Sequence, residues 1–253
     1  MGVINITPNS FSDGGELATS SDLSSRLEKF GNIEAIDIGA ESTAPMNESI
    51  NWGTEWERIK PHLPLIKAFK GILSFDTYHP ETINEVVKFY TDHKMDQELF
   101  WNDVSGKFDD HVKDFLSQSP KYSYVLCHNL APRRELSGKH MEYIDPELSI
   151  KKLEAYFFPY KHSQVVFDPC LGFSKTYEQN WMILENFGRL QELCAHNRWL
   201  IGFSRKSFLR KKLGLDLQDK EKLDFEHVRI LNTLKQNWDD EVWIRTHRPD
   251  LLS

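Results

Sequence analysis

Residues 36–46 read IDIGAESTAPM, an apolar run that passes through Gly39 into small polar residues and a proline. The first half suits a buried strand and the second a loop, because proline and short polar side chains belong to turns rather than strand interiors. The same transition recurs along the chain. VINIT (3–7), AIDIGA (35–40), ILSFDT (72–77), LFWNDV (99–104), YSYVLCH (122–128), QVVFDP (164–169), WLIGFS (199–204) and EVWIRT (241–246) are short and apolar or β-branched. Helix-like segments lie between most of them. Leu23 to Phe30 is short and amphipathic, Trp56 to Phe69 carries apolar residues at helical spacing, Pro80 to Phe89 opens on proline, and Asn180 to Cys194 is the clearest helix. Repeated strand–helix alternation with near-continuous apolar strands predicts a parallel sheet covered by helices. Eight such units in 253 residues predict an α/β chain folded as one (β/α)8 TIM barrel over residues 1–253, not an open doubly wound sheet. The pieces 129–146 and 213–225 read as loops, the first as a lid.

Composition narrows the function. A net charge of −7 argues against a protein that holds nucleic acid by bulk charge, although Arg205-Lys206 and Arg210-Lys211-Lys212 suit a single anion. The three cysteines, Cys127, Cys170 and Cys194, have no paired spacing for zinc or a redox dithiol. Scattered cysteines fit a reducing compartment. No run approaches the ~18 apolar residues of a membrane span, and the N-terminus lacks a signal-peptide pattern. The expectation is a cytoplasmic protein with no membrane and no nucleic-acid partner.

The strand ends carry the chemistry. Asn5, Glu41, Asp76, Asn102 with Asp103, His128, Asp168, Ser204 with Arg205-Lys206, and Arg245 with His247 all fall where a barrel's C-terminal ends meet at one mouth. Turns alone favour Ser, Gly and Pro over this set. Asp76, Asn102 and Asp168 would face a ligand with adjacent N–H donors, such as an aminopyrimidine edge. A site of that kind rejects analogues that leave its polar groups unpaired. Lys206 supplies a cationic donor. Arg245 and His247, two apart on an extended strand, share a face and form a phosphate clamp. Asn5 offers a neutral oxygen suited to Mg²⁺, which takes few protein ligands and keeps waters and phosphates. Phe173, in a Gly-Phe loop just after Asp168, reads as a ligand wall. Asp37 lies inside a strand, and the pattern serves a bland strand position and a hydrogen-bonding support role equally. His128 is equally a core-edge histidine or a ligand contact.

MGVINITPNSFSDGG (1–15), IDIGAESTAP (36–45), SFDTY (74–78), NDVSG (102–106), DPCLGFSKT (168–176), SRKSF (204–208) and IRTH (244–247) together resemble the dihydropteroate synthases of folate biosynthesis over nearly the whole chain. The resemblance implies a (β/α)8 barrel that joins 6-hydroxymethyl-7,8-dihydropterin pyrophosphate to p-aminobenzoate with Mg²⁺, as a homodimer. It implies that Asp76, Asn102, Asp168 and Lys206 bind the pterin and that Asn5 meets the Mg²⁺-bound pyrophosphate. Arg245 would lie near pterin and phosphate, and His247 would ligate phosphate. Thr43 would contact substrate from the second loop, and Phe173 and Ser204 would form part of the p-aminobenzoate pocket. In catalytic terms the set is Lys206, Arg245 and His247.

Three residues depart from the family pattern. Ala44 stands where the family usually has arginine, Cys170 where it has glycine, and Asn9 where it has aspartate. The sequence also gives seven residues after Thr246, too few for a full helix after the eighth strand, so the seam between strands eight and one is expected to be uncovered. A pterin-dependent methyltransferase would share the barrel, but SRK and the TPNSFSDGG loop argue for the synthase. A degenerate pterin-binding homologue with little or no turnover is the other alternative, and Ala44 is its support.

Overall fold

The computed structural model describes residues 1–6, 20–41, 49–131, 141, 145–216, 218–238 and 241–252. Eight strands form one parallel sheet in sequence order: β1 (Gly2–Asn5), β2 (Ala35–Gly39), β3 (Ile72–Asp76), β4 (Leu99–Asp103), β5 (Tyr122–Cys127), β6 (Val165–Asp168), β7 (Arg198–Ile201) and β8 (Val242–Ile244). The last strand returns to the first. Val3 N donates to Thr246 O at 2.9 Å and Thr246 N to Met1 O at 3.1 Å, which closes the sheet into a barrel. The repeated apolar runs therefore do what their pattern implies: strands buried on both faces need no polar alternation.

Helices cover the outside: α1 (Ser20–Phe30), α2 (Trp52–Ile59), α3 (Leu63–Ala68), α4 (Pro80–Asp92), α5 (Asp110–Ser117), α6 (Pro146–Phe157), α7 (Tyr177–Glu185), α8 (Phe187–Leu193), α9 (Ser207–Leu213) and α10 (Lys220–Leu234). None of the described helices is long and apolar enough to cross a membrane. One apolar cluster packs the helices on the sheet. A smaller one, including Met1, Ala35, Phe100, Val125, Val166 and Leu200 with Trp243 against them, fills the barrel's interior. The outer layer is dense in aromatics. Phe157 stacks on Phe167 at 4.5 Å, and Trp199 meets Phe157, Phe167 and Phe187 edge-on at 5.4, 5.4 and 5.1 Å. Truncating any of these rings to alanine costs roughly 3–5 kcal/mol.

Three elements differ from the sequence reading. The segment 56–69 is not one helix but α2, a 3-10 turn at Lys60–His62, and α3. Pro61 and Pro64 withhold the N–H groups that a continuous helix needs. The segment 180–194 splits into α7 and α8 at Asn186, whose amide side chain turns back to Met182 O at 2.8 Å. A Cβ on Gly188 would sit 2.2 Å from Asn237 O, so that crossing is open to glycine alone. The loop assigned to 213–225 is short. Gly214, at φ +63°, ends α9, and α10 already begins at Lys220. Much of 129–146, the expected lid, lies outside the described residues, as do the TPNSFSDGG loop and residues 42–48 with Thr43 and Ala44. After β8 the described residues make a 3-10 turn at Pro249–Leu251.

Candidate active site

Register sets the mouth. β3 and β4 pair Asp76 with Asn102, and β5 and β6 pair Cys127 with Asp168, so these side chains reach one level of the barrel. A cavity of about 50 Å³ there is lined by Asp76, Asn102, Asp168, Phe173, Lys206 and Arg245, with Cys127 and Cys170 also on its wall.

One level deeper, Asp37 holds the arrangement. It is fully buried, accepts from Ser74 Oγ at 2.5 Å, accepts from Asn102 Nδ2 at 3.2 Å on each oxygen, and pairs with Arg245 Nε. The open alternative for Asp37 is thus decided by contacts: it orients Asn102 and Arg245. Arg245 then crosses the mouth to Asp76, Nη2 to Oδ2 at 2.6 Å. Burial pushes the Asp76 carboxyl up to about 7 against the opposing pull of Arg245. Gly202 lies beside the arginine, and a Cβ there would meet Arg245 Cβ at 3.4 Å, an ordinary contact.

The opposite wall is a loop. Asp168 Oδ1 accepts from Cys170 N at 2.6 Å, and burial raises its carboxyl above the usual range. Lys206 Nζ lies 4.3 Å from the centroid of the Phe173 ring, and burial lowers its ammonium. Gly172, at φ +86°, lies against Lys206, since a Cβ there would sit 3.0 Å from Lys206 Cδ. Cys170 adopts φ +56°, the left-handed conformation that glycine takes without strain. Lys175 secures the loop from below, donating to His128 O at 2.8 Å and to Cys170 O and Phe173 O at 3.2 Å each. Burial pulls its ammonium down to about 8.

Ser204 and His247 sit elsewhere. They are buried against each other, Ser204 Oγ to His247 Nδ1 at 3.0 Å, and neither lines the described cavity. Burial, followed by the neighbouring Arg205, Arg245 and Arg26, holds the His247 imidazole neutral, well below its ordinary range. Asn5 ends β1 opposite Gly39. His128 is buried edge-on against Tyr156 at 4.7 Å, with its carbonyl on Lys175. Thr43 lies outside the described residues. Asp37 and Lys175 were not singled out as site residues from sequence. For Asp37 the signal was its two-residue offset from Gly39 on the inward face; for Lys175 there was none beyond its place in DPCLGFSKT.

The mouth is therefore that of a (β/α)8 barrel in which carboxylates face cations across a small polar cavity. The chain belongs to the family described as pterin binding enzyme, whose model matches residues 1–237. It is 31% identical over 229 residues to the dihydropteroate synthase of Clostridium beijerinckii, covering 87% of this chain and 79% of that protein. It is 30% identical over 230 residues to a folate synthesis bifunctional protein of Arabidopsis thaliana, covering 83% of this chain and 46% of that protein. The chain thus spans less than half the length of that plant relative. The crystal structure of dihydropteroate synthase from Anaplasma phagocytophilum with bound 6-hydroxymethylpterin-monophosphate superposes with a TM-score of 0.79 at 26% identity, covering 99% of this chain and 93% of that one.

Proposed function

We propose that the chain is a dihydropteroate synthase, joining 6-hydroxymethyl-7,8-dihydropterin pyrophosphate to p-aminobenzoate with release of pyrophosphate. The observation that carries this reading is the convergence of Asp76, Asn102, Asp168, Lys206 and Arg245 on one mouth cavity, in a chain of the pterin-binding family. Carboxylates and an amide on facing walls match the donor-rich edge of a pterin, and Lys206 suits a ring nitrogen or carbonyl. At about 50 Å³ the cavity is far below the roughly 300 Å³ of ordinary ligand pockets, because Arg245 reaches across it to Asp76.

Reaction is displacement at the exocyclic methylene. The C–O bond to pyrophosphate breaks ahead of C–N bond formation, the aromatic amine attacks, and one proton leaves its nitrogen. The protein's part is positioning and charge stabilisation by Arg245, with His247 as a neutral phosphate ligand and Ser204 fixing its ring. Phe173 and Ser204 are assigned to the p-aminobenzoate pocket, and the resemblance gives Thr43, outside the described residues, a substrate contact. The amide oxygen of Asn5, at the end of β1, is the protein group that would hold Mg²⁺, an ion that takes few protein ligands and keeps waters and phosphate oxygens. When bound, the ion would neutralise phosphate charge. The reading extends to one domain, a homodimer and a cytoplasmic setting, which suits three free, buried cysteines.

The test is purified protein with both substrates and Mg²⁺, following dihydropteroate. Product formation lost in Lys206→Ala supports the reading. Pterin binding without any product would leave a degenerate pterin binder instead.

A further inference from the structure

Outside the mouth, a second cavity of about 410 Å³ opens between α1 and the start of α10. Arg26, Lys29, Arg205, Lys220 and Arg248 line it, with Asp250 the one carboxylate among its described lining residues. None of these residues lines the mouth cavity. The convergence is not a by-product of composition, because the chain as a whole carries −7. Asp224 and Asp250 offset two of the five cations, and the positive excess that remains favours an anion, with a concave wall to focus its field.

The cations are held in place. Arg205 is clamped bidentately by buried Asp224, Nε to Oδ1 at 2.8 Å and Nη2 to Oδ2 at 2.7 Å. Arg248 is forked onto Asp250 at 2.8 and 2.7 Å. Arg26 Nη2 donates to the backbone oxygen of His247 at 3.1 Å. Lys29 and Lys220, by contrast, have no ion pair among the described residues. Arg205 itself sits at φ +58°, a strained conformation for a side-chain-bearing residue. That turn sends Arg205 to the outer cavity and its neighbour Lys206 to the mouth.

We propose that this cavity binds a small di- or triphosphate anion. Asp224 and Asp250 already occupy the Nε–Nη2 edges of Arg205 and Arg248, so these arginines supply fixed positive charge, the two lysines add mobile donors, and the volume exceeds what a single phosphate needs. The site backs onto the Ser204–His247 pair through Arg26 and Arg205, so an occupant stiffens the support of the mouth's phosphate side. The proposal does not depend on the reaction proposed above.

Isothermal titration of the purified chain with inorganic pyrophosphate, ADP and citrate tests it. Two pyrophosphate sites are expected if the mouth also binds the anion, one if it does not. Lys29→Glu with Lys220→Glu should weaken the outer site at least about tenfold while leaving circular dichroism and synthase turnover as they were. Lys29→Gln with Lys220→Gln should give a smaller loss and guards against misfolding of the reversal variant. Pyrophosphate tighter than ADP points to the free anion, and the reverse to a nucleotide; both support the site. An isotherm unchanged by the lysine variants overturns the proposal, and so does citrate binding as tightly as either phosphate compound.

Discussion

Arg245 bridges two carboxylates on different strands, pairing with Asp37 through Nε and reaching Asp76 through Nη2 at 2.6 Å. The two partners are unequal. Asp37 is fully buried and accepts from two further side chains, whereas Asp76 borders the cavity and is pushed up to about 7 by burial. Asp76 is the releasable partner. Asp76→Asn keeps the shape but loses an anionic acceptor, so binding of the pterin pyrophosphate should weaken about 10- to 100-fold. The melting temperature should move by no more than about 3 °C, because the carboxyl already bears a burial penalty. Calorimetry and thermal melts read both, and an unchanged affinity would remove Asp76 from the pterin site.

Asp37→Asn should behave oppositely. It removes the charge that anchors Arg245 and an acceptor for Ser74 and Asn102, leaving buried donors unmatched. Breaking a buried pair of this kind costs roughly 3–5 kcal/mol. The melting temperature should fall by at least about 6 °C, and turnover should fall with it. Ser74→Ala, which removes one neutral donor, is the control and should cost about 1 kcal/mol.

His227 gives the pH dependence. It is fully buried on α10, packs on Phe203 at 4.3 Å, and has no hydrogen-bond partner among the described residues on either ring nitrogen. Burial lowers its folded-state value to about 4, from 6.5. The unfolded chain binds the proton more tightly, so this stability is complete above 6.5 and is lost as pH falls toward 4. The loss approaches about 3 kcal/mol at the acid end. Denaturant unfolding of His227→Phe should show a flatter profile than wild type across that window, and parallel profiles would refute the assignment.

Ala44→Arg should raise synthase turnover by restoring the cation that the resemblance puts in the second loop. Steady-state kinetics decides it; an equal or lower rate would mean that other groups meet the charge there.

The barrel was readable because parallel strands buried on both faces leave near-continuous apolar runs, and eight of them stand in this chain. Asp76, Asn102, Asp168, Phe173, Lys206 and Arg245 were readable because strand ends converge in this topology. The split of 180–194 was not, because it falls at Asn186, whose amide turns back to Met182 O inside a run of unbroken helical spacing. Nor was the pairing of Ser204 with His247, which lie 43 residues apart.

The sequence by itself determined which groups arrive at the mouth, since strand order and the two-residue alternation of side chains follow from local pattern. Only the tertiary structure decided how those groups divide their work. Asp37 lies inside its strand and Asp76 ends its own, which separates their places but not their tasks. Barrel closure brings Arg245 across from the end of β8, 208 residues from Asp37, and burial then makes one carboxylate an anchor and the other a cavity-facing partner. The cationic cavity arises in the same way, from residues that meet only when the first and last strands pair.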